Sequence, residues 1–208
     1  MTYPPEATSK AYMTGIIDMN DTNVTNGGRV VNLNFYDSLG YTYTAKFSFT
    51  QDQMDNTAKP PVPDKYAYTM KLTEIQDSTG KKFPFKGENV ADADYEKSYA
   101  ETMANIMKDI KVEFNKNTGK IMSASTIDGT TLTPITDMSK VPLNFGVLNG
   151  ANNADGTTPP AGTPATGNFQ RIDLDMTQIT TFDNKGTSTV NATNGSDDEF
   201  NTGSGRRV

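Results

Sequence analysis

Four stretches of this chain carry side chains of the kinds that bind metals or move protons. "DMNDTN" (Asp18–Asn23) and "NKNTGK" (Asn115–Lys120) are oxygen-rich loops of the sort that can hold calcium, while "DADYE" (Asp92–Glu96) and "SDDEF" (Ser196–Phe200) gather carboxylates. Neither loop has the D-x-[DN]-x-[DN]-G-x5-E order that ends in a bidentate Glu, so turn chemistry accounts for both. The first acidic run matches the positive end of a helix dipole; the second reads as a solvated tail. Two carboxylates about 5–9.5 Å apart can hydrolyse a glycosidic bond and leave no signature in a sequence, which keeps a carboxylate hydrolase open as a third reading. Against it stands what the chain lacks: it has no histidine and no cysteine. That removes the commonest general base, the commonest zinc ligand, the thiolate nucleophile and the Ser-His-Asp arrangement together. No glycine-rich phosphate loop of either familiar kind is present. The expectation is a non-enzyme with no catalytic, cofactor-binding or metal-binding residues.

Charge and hydropathy narrow the partners. The 208 residues carry a formal net charge of −6, with a pI near 4.7. Nucleic acid is not expected as a partner, because phosphate neutralisation needs clustered cations and the only adjacent basic pairs are Lys81-Lys82 and Arg206-Arg207. No membrane partner is expected, since no apolar run approaches the roughly 20 residues of a spanning helix. "MTYPPEATSK" lacks the basic-then-apolar pattern of a secretory signal. "MTYPPEA" reads as a start codon before a Pro-rich lead-in and "GSGRRV" ends without a closing element, so an excised piece is expected.

The elements that would position any site are mostly strands. Tyr41, Tyr43, Ala45, Phe47 and Phe49 alternate with Thr42, Thr44, Lys46, Ser48 and Thr50, the pattern of a strand with one buried and one wet face. Val31, Leu33 and Phe35 alternate upstream to give its partner. "DSLG" between them suits a tight turn: Asp37 and Ser38 favour type I geometry and Gly40 tolerates the left-handed conformation. Further strands are expected over Ala11–Met19, around Tyr66–Leu72 (followed by a "DSTGKK" turn), from Ile110 to Phe114 and back from Ile121 to Ile127, around Phe145 and Val147, and over Ile172–Met176. One helix of about four turns is expected from Tyr95, Tyr99, Met103, Ile106 and Ile110, with Asp92 or Asp94 as its cap. Asn149–Asn168 contains only Asn, Gly, Ala, Asp, Thr and Pro, so it reads as a flexible loop; Asn191–Val208 reads similarly. The expected fold is mainly β, an antiparallel barrel or sandwich with one peripheral helix and long loops. Aromatics on the hairpin could stack sugars, but alternating aromatics on one strand face are usually core.

The hairpin also carries a resemblance. "VVNLNFYDSLGYTYTAKFSFT" resembles the segment of bacterial flagellar hook proteins in which a strand runs into Y-D-S-[LQ]-G and returns as a second alternating strand. Tyr36, Asp37, Ser38, Leu39 and Gly40 match that motif, and Tyr41 and Tyr43 stand where the family usually has Asn and His. "EATSKAYMTGIIDMND" (Glu6–Asp21), "IKVEFNKNTGKIMSAS" (Ile110–Ser125) and "IDLDMTQITTF" (Ile172–Phe182) resemble further family segments in the right order. The resemblance implies the outer β-domain over 1–176, with 177–208 as a return segment toward an inner domain and a disordered tail. It implies a structural subunit of the hook, the curved tube joining motor to filament, exported through the flagellar channel without a cleaved signal. Its partners would be neighbouring copies, with this piece alone monomeric. The alternative is an extracellular carbohydrate-binding or adhesin-like module, which would need two or three of Tyr41, Tyr43, Phe47 and Phe49 coplanar and exposed.

Overall fold

The computed structural model describes residues 4–25, 28–51, 54–55, 62–63, 66–149, 169–182 and 186–195. The loop expected over 149–168 therefore lies outside the described residues except for Asn149, as do "SDDEF" and the tail beyond it. In chain order the strands are β1 (Lys10–Asp18), β2 (Arg29–Tyr36), β3 (Thr42–Gln51), β4 (Met54–Asp55), β5 (Val62–Pro63), β6 (Ala67–Asp77), β7 (Ile110–Phe114), β8 (Ile121–Asp128), β9 (Thr131–Pro134), β10 (Val141–Leu143), β11 (Ile172–Phe182) and β12 (Asn191–Asn194). Two helices join them, α1 (Thr22–Thr25) and α2 (Asp92–Ile106), with a 3-10 turn at Phe145–Leu148.

A six-stranded sheet, ordered β2-β3-β6-β7-β8-β9, faces a four-stranded sheet ordered β10-β11-β1-β12. This is a sandwich and not a closed barrel. Alternation builds it: Val31, Leu33 and Phe35 of β2 and Tyr43, Ala45, Phe47 and Phe49 of β3 are all buried, facing Met13, Ile17, Leu174, Met176 and Ile179 of the other sheet in one continuous core. The pairings within the six-stranded sheet are antiparallel, but β1 and β11 run parallel. Parallel neighbours need a long crossover, and here every element between Asp18 and Ile172 supplies it. The sheets touch at both flanks. Asn194 Nδ2 donates to the Asn34 carbonyl at 2.7 Å, and Thr181 N–H donates to the Gly119 carbonyl at 2.8 Å.

Helix α2 buries Tyr95, Tyr99, Met103 and Ile106 as the spacing predicts. Its ends differ from the expectation. The cap residue is Ala91 and makes no side-chain bond, so Asp92 and Asp94 sit in the first turn, where the dipole favours a carboxylate. The helix stops at Met107, whose extended backbone hands Ile110 to β7. Tyr99 caps β6 beyond the stretch Ala67–Met70 that pairs with β7: its hydroxyl accepts from Ile75 N–H at 2.7 Å and donates to the Ile75 carbonyl at 3.2 Å.

Burial pushes the Tyr99 hydroxyl well above its ordinary value of 10.0. The folded chain then keeps a proton that the unfolded chain gives up, so stability must fall as pH rises through 10. Tyr99→Phe is expected to cost about 1–2 kcal/mol at neutral pH through the Ile75 N–H it leaves unpaired, the Ile75 carbonyl still accepting from Phe83 N–H at 2.8 Å. It should also flatten the alkaline decline in melting temperature; an unchanged slope would show that Tyr99 does not carry it.

Three other expectations are corrected. Phe145 and Val147 do not form a strand: the 3-10 turn brings Phe145 and Leu148 inward together and leaves Val147 exposed. Tyr41 is not on the buried face but 58% exposed, because the turn ends on it and β3 begins one residue later. Asn191–Asn194 is not loop but a strand paired antiparallel with Ala11–Thr14. Its polar side chains hid it, since only Ala192 turns inward. The division placed at 176/177 falls inside β11, all of which lies in the four-stranded sheet.

Candidate functional site

The hairpin turn singled out in the sequence is organised by one buried carboxylate. Asp37 Oδ1 accepts from the backbone N–H of Leu39 and of Tyr41, both at 3.0 Å, and Oδ2 accepts from the Tyr43 hydroxyl at 3.3 Å. The backbone closes around it, Asp37 N–H to the Tyr41 carbonyl and Gly40 N–H to the Asp37 carbonyl, each at 3.1 Å. Gly40 takes φ 86°, the left-handed value this geometry requires. Burial, followed by the Asp37 carboxylate, pushes the Tyr43 hydroxyl well above its ordinary value, so it stays a donor to Asp37 even in alkali that would ionise a free tyrosine. Tyr36 anchors the turn from outside: Thr8 N–H donates to its carbonyl at 3.0 Å, and Tyr36 N–H donates to Thr8 Oγ1 at 2.9 Å.

The chain contains the same turn twice, which the sequence signals as D-S-x-G at Asp37–Gly40 and again at Asp77–Gly80. Asp77 Oδ1 accepts from Thr79 N–H and Lys81 N–H, both at 2.9 Å, and Gly80 repeats the φ of 86°. Hydrogen bonds from Thr79 and Lys81 outweigh partial burial and hold the Asp77 carboxyl below its ordinary value. The turns differ in surroundings. Asp37 is fully buried while Asp77 is half-buried, and the two residues whose N–H groups are held are Leu39 and Tyr41 in one but Thr79 and Lys81 in the other.

The acidic stretches resolve into structural contacts. Asp18 Oδ1 accepts from Asn20 N–H at 2.6 Å and Oδ2 from Gly186 N–H at 3.0 Å, tying the end of β1 to the returning chain. Asp21 accepts from Asn23 N–H at 2.9 Å, and its other oxygen lies 3.8 Å from Arg29. In "NKNTGK", Asn115 Oδ1 accepts from Asn117 and Thr118 N–H, closing a turn. Among the described residues no three acidic side chains gather as a metal would require. A cleft of about 540 Å³ between α2 and β6 contains Glu96, Asp109 and Asp128. Glu96 is ion-paired with Lys82 at 3.0 Å and Asp128 with Lys108 at 3.2 Å, which ties up two of its three carboxylates.

Tyr43, Phe47 and Phe49 are in the core and only Tyr41 is exposed, so the hairpin offers no flat aromatic platform of the kind that stacks sugars. Its outward residues Thr42, Thr44, Lys46 and Ser48 are half-buried among their strand neighbours; Thr44 Oγ1 donates to Asn34 Oδ1 at 2.9 Å. Their cross-strand partners Asn32, Asn34 and Lys71 lie on the same, mainly polar outward face, which also carries the exposed Val30.

A family model described as the flagellar basal body protein FlaE D2 domain matches residues 6–196. No curated protein matches the chain.

Proposed function

Because the chain belongs to the flagellar basal body protein FlaE D2 domain family, we infer that it is an outward-projecting domain of the hook polymer that makes sliding contacts with neighbouring copies. One observation carries this reading: the first and last strands among the described residues, β1 and β12, lie side by side. Gly195 N–H donates to the Lys10 carbonyl at 3.2 Å, and Ala11 pairs with Asn194 across β1 and β12. A domain whose ends emerge together can be inserted into a longer polypeptide without disturbing what lies on either side. The mainly polar outward face suits contacts that form and break as a joint turns, since exposed polar and charged pairs are each worth only about 0–1 kcal/mol. Export through the flagellar channel to the cell exterior belongs to the same reading, as does a return toward an inner domain beyond the last strand.

Light scattering with small-angle X-ray scattering tests it. The 208-residue chain should be a compact monomer, and a longer subunit carrying the flanking segments should assemble into tubes. A discrete oligomer of this chain alone would sink the reading. Charge reversal of the polar face (Lys46→Glu with Lys71→Glu) in the longer subunit is expected to stiffen or straighten the hook and slow swimming, with the fold unchanged. Unaltered bending would remove that face from the sliding surface.

A further inference from the structure

The chain holds three Asn–Gly steps, at Asn26-Gly27, Asn149-Gly150 and Asn194-Gly195. The first lies outside the described residues. A glycine after an asparagine has no Cβ to hinder its own nitrogen and moves freely in φ and ψ, so that nitrogen can close on the side-chain carbonyl carbon before it. Whether this happens in a folded chain depends on how firmly the asparagine amide is held. Asn149 and Asn194 are held very differently.

Asn149 is fastened through both its polar atoms. Nδ2 donates to the Phe169 carbonyl and Oδ1 accepts the Phe169 N–H, while the Phe169 ring is buried against Tyr43 and Phe83. The Asn149 amide can swing toward Gly150 only when it lets go of a residue anchored in the core. Asn194 is held more lightly. Its Nδ2 donates to the Asn34 carbonyl at 2.7 Å, but the N–H that must react, that of Gly195, reaches the Lys10 carbonyl at 3.2 Å, the long end of the hydrogen-bond range. Asn194 also ends β12, a four-residue strand at the edge of its sheet. Such strand ends open at low free energy, and half-burial leaves Asn194 within reach of water.

We propose that Asn194 is a site of spontaneous deamidation, and that its conversion unfastens the two sheets at this flank. The Gly195 nitrogen bonds to the Asn194 side-chain carbon and gives up its proton, the bond from that carbon to Nδ2 breaks, and ammonia leaves. Water then opens the cyclic imide at either carbonyl, giving aspartate or isoaspartate. The product matters because of what the amide did. A carboxylate oxygen now faces the Asn34 carbonyl where an N–H donor stood, so two acceptors meet with no proton between them and the tie from β12 to β2 becomes a repulsion. Isoaspartate in addition lengthens the main chain at the last pair of the β1–β12 ladder. The step runs one way, and the converted fraction records the age of the folded chain.

Peptide mapping by mass spectrometry on the 208-residue chain, kept in mildly alkaline buffer, follows Asn194 and Asn149 separately. The rate of each in urea serves as its unheld reference. The folded-to-urea ratio is expected to be at least about tenfold larger for Asn194 than for Asn149, as for a fraying edge against a site anchored in the core. Isoaspartate should appear among the products. Gly195→Ala should slow the reaction in urea, where the Tyr12 ring that a Cβ would meet at 3.2 Å in the folded chain is out of the way. Equal ratios, a larger ratio at Asn149, or aspartate as the only product overturns the assignment. The structural consequence is read on Asn194→Asp by hydrogen exchange. The amides of β12 should lose protection while those paired between β2 and β3 keep theirs; full protection of β12 in that variant would show that the Asn34 bond does not hold the flank.

Discussion

Asp37→Ala should cost the domain about 3–4 kcal/mol, among the largest losses available to a single side chain outside the hydrophobic core. The substitution strands Leu39 N–H, Tyr41 N–H and the Tyr43 hydroxyl at once, and at a site closed to water nothing replaces the lost oxygens. The twin turn is the control. Asp77→Ala removes nearly the same bonds, but water reaches that turn, so its cost should be nearer ~1 kcal/mol. Urea unfolding of the two variants reads the contrast directly. Similar midpoints would mean that burial of Asp37 does not decide its worth.

The second large effect is expected at Gly15, just past the register slip of β1 between Tyr12 and Thr14 and against the returning chain at Thr189. Its φ of 104° is unfavourable for any side chain, and a Cβ would lie 2.5 Å from the Thr189 carbonyl oxygen. That oxygen belongs to backbone that cannot easily retreat, because Thr189 N–H and Val190 N–H are both held by the Ile16 carbonyl at 2.8 and 3.1 Å. Strain of about 1–3 kcal/mol from the backbone and a similar amount from the clash should combine, so Gly15→Ala is expected to loosen residues 186–194 from the sheet. Hydrogen exchange would show it as lost protection of the Thr189 and Val190 amides. Gly80→Ala, at a positive φ but with nothing within 4 Å of the new atom, isolates the conformational part; equal losses at both positions would discount the close approach.

What could be read from the residues follows from how local each feature is. The β2–β3 hairpin and the buried stripe of α2 were legible because alternation and the 3.6 period are properties of neighbouring side chains. Strand β12 was not, since "NATN" offers a single small apolar residue and becomes a strand only because β1 presents an unpaired edge to it. The parallel pairing of β1 with β11 depends on chain more than 150 residues away and has no local mark. The turn motif shows the same division. D-S-x-G announces the hydrogen-bonded loop at both positions, but which aspartate is buried depends on Thr8 and Tyr43 closing over one of them. Tyr41 was misplaced for a related reason: the alternation ran unbroken through the turn, while the Asp37 carboxylate fixed the first strand residue one position later.

Asn149 stands at the near end of the segment outside the described residues and Phe169 just beyond its far end. They hold each other as two backbones would: the Asn149 amide donates to the Phe169 carbonyl at 2.9 Å and accepts its N–H at 2.7 Å, and Phe169 goes on into the aromatic core beside Tyr43 at 5.0 Å. A staple at the base of an excursion separates the fate of the excursion from that of the domain. Because the entropy of closing a loop grows only by about 0.6 kcal/mol for each doubling of its length, residues between the stapled ends can be gained, lost or exchanged at little energetic consequence. Change between the stapled ends thus need not reach the core.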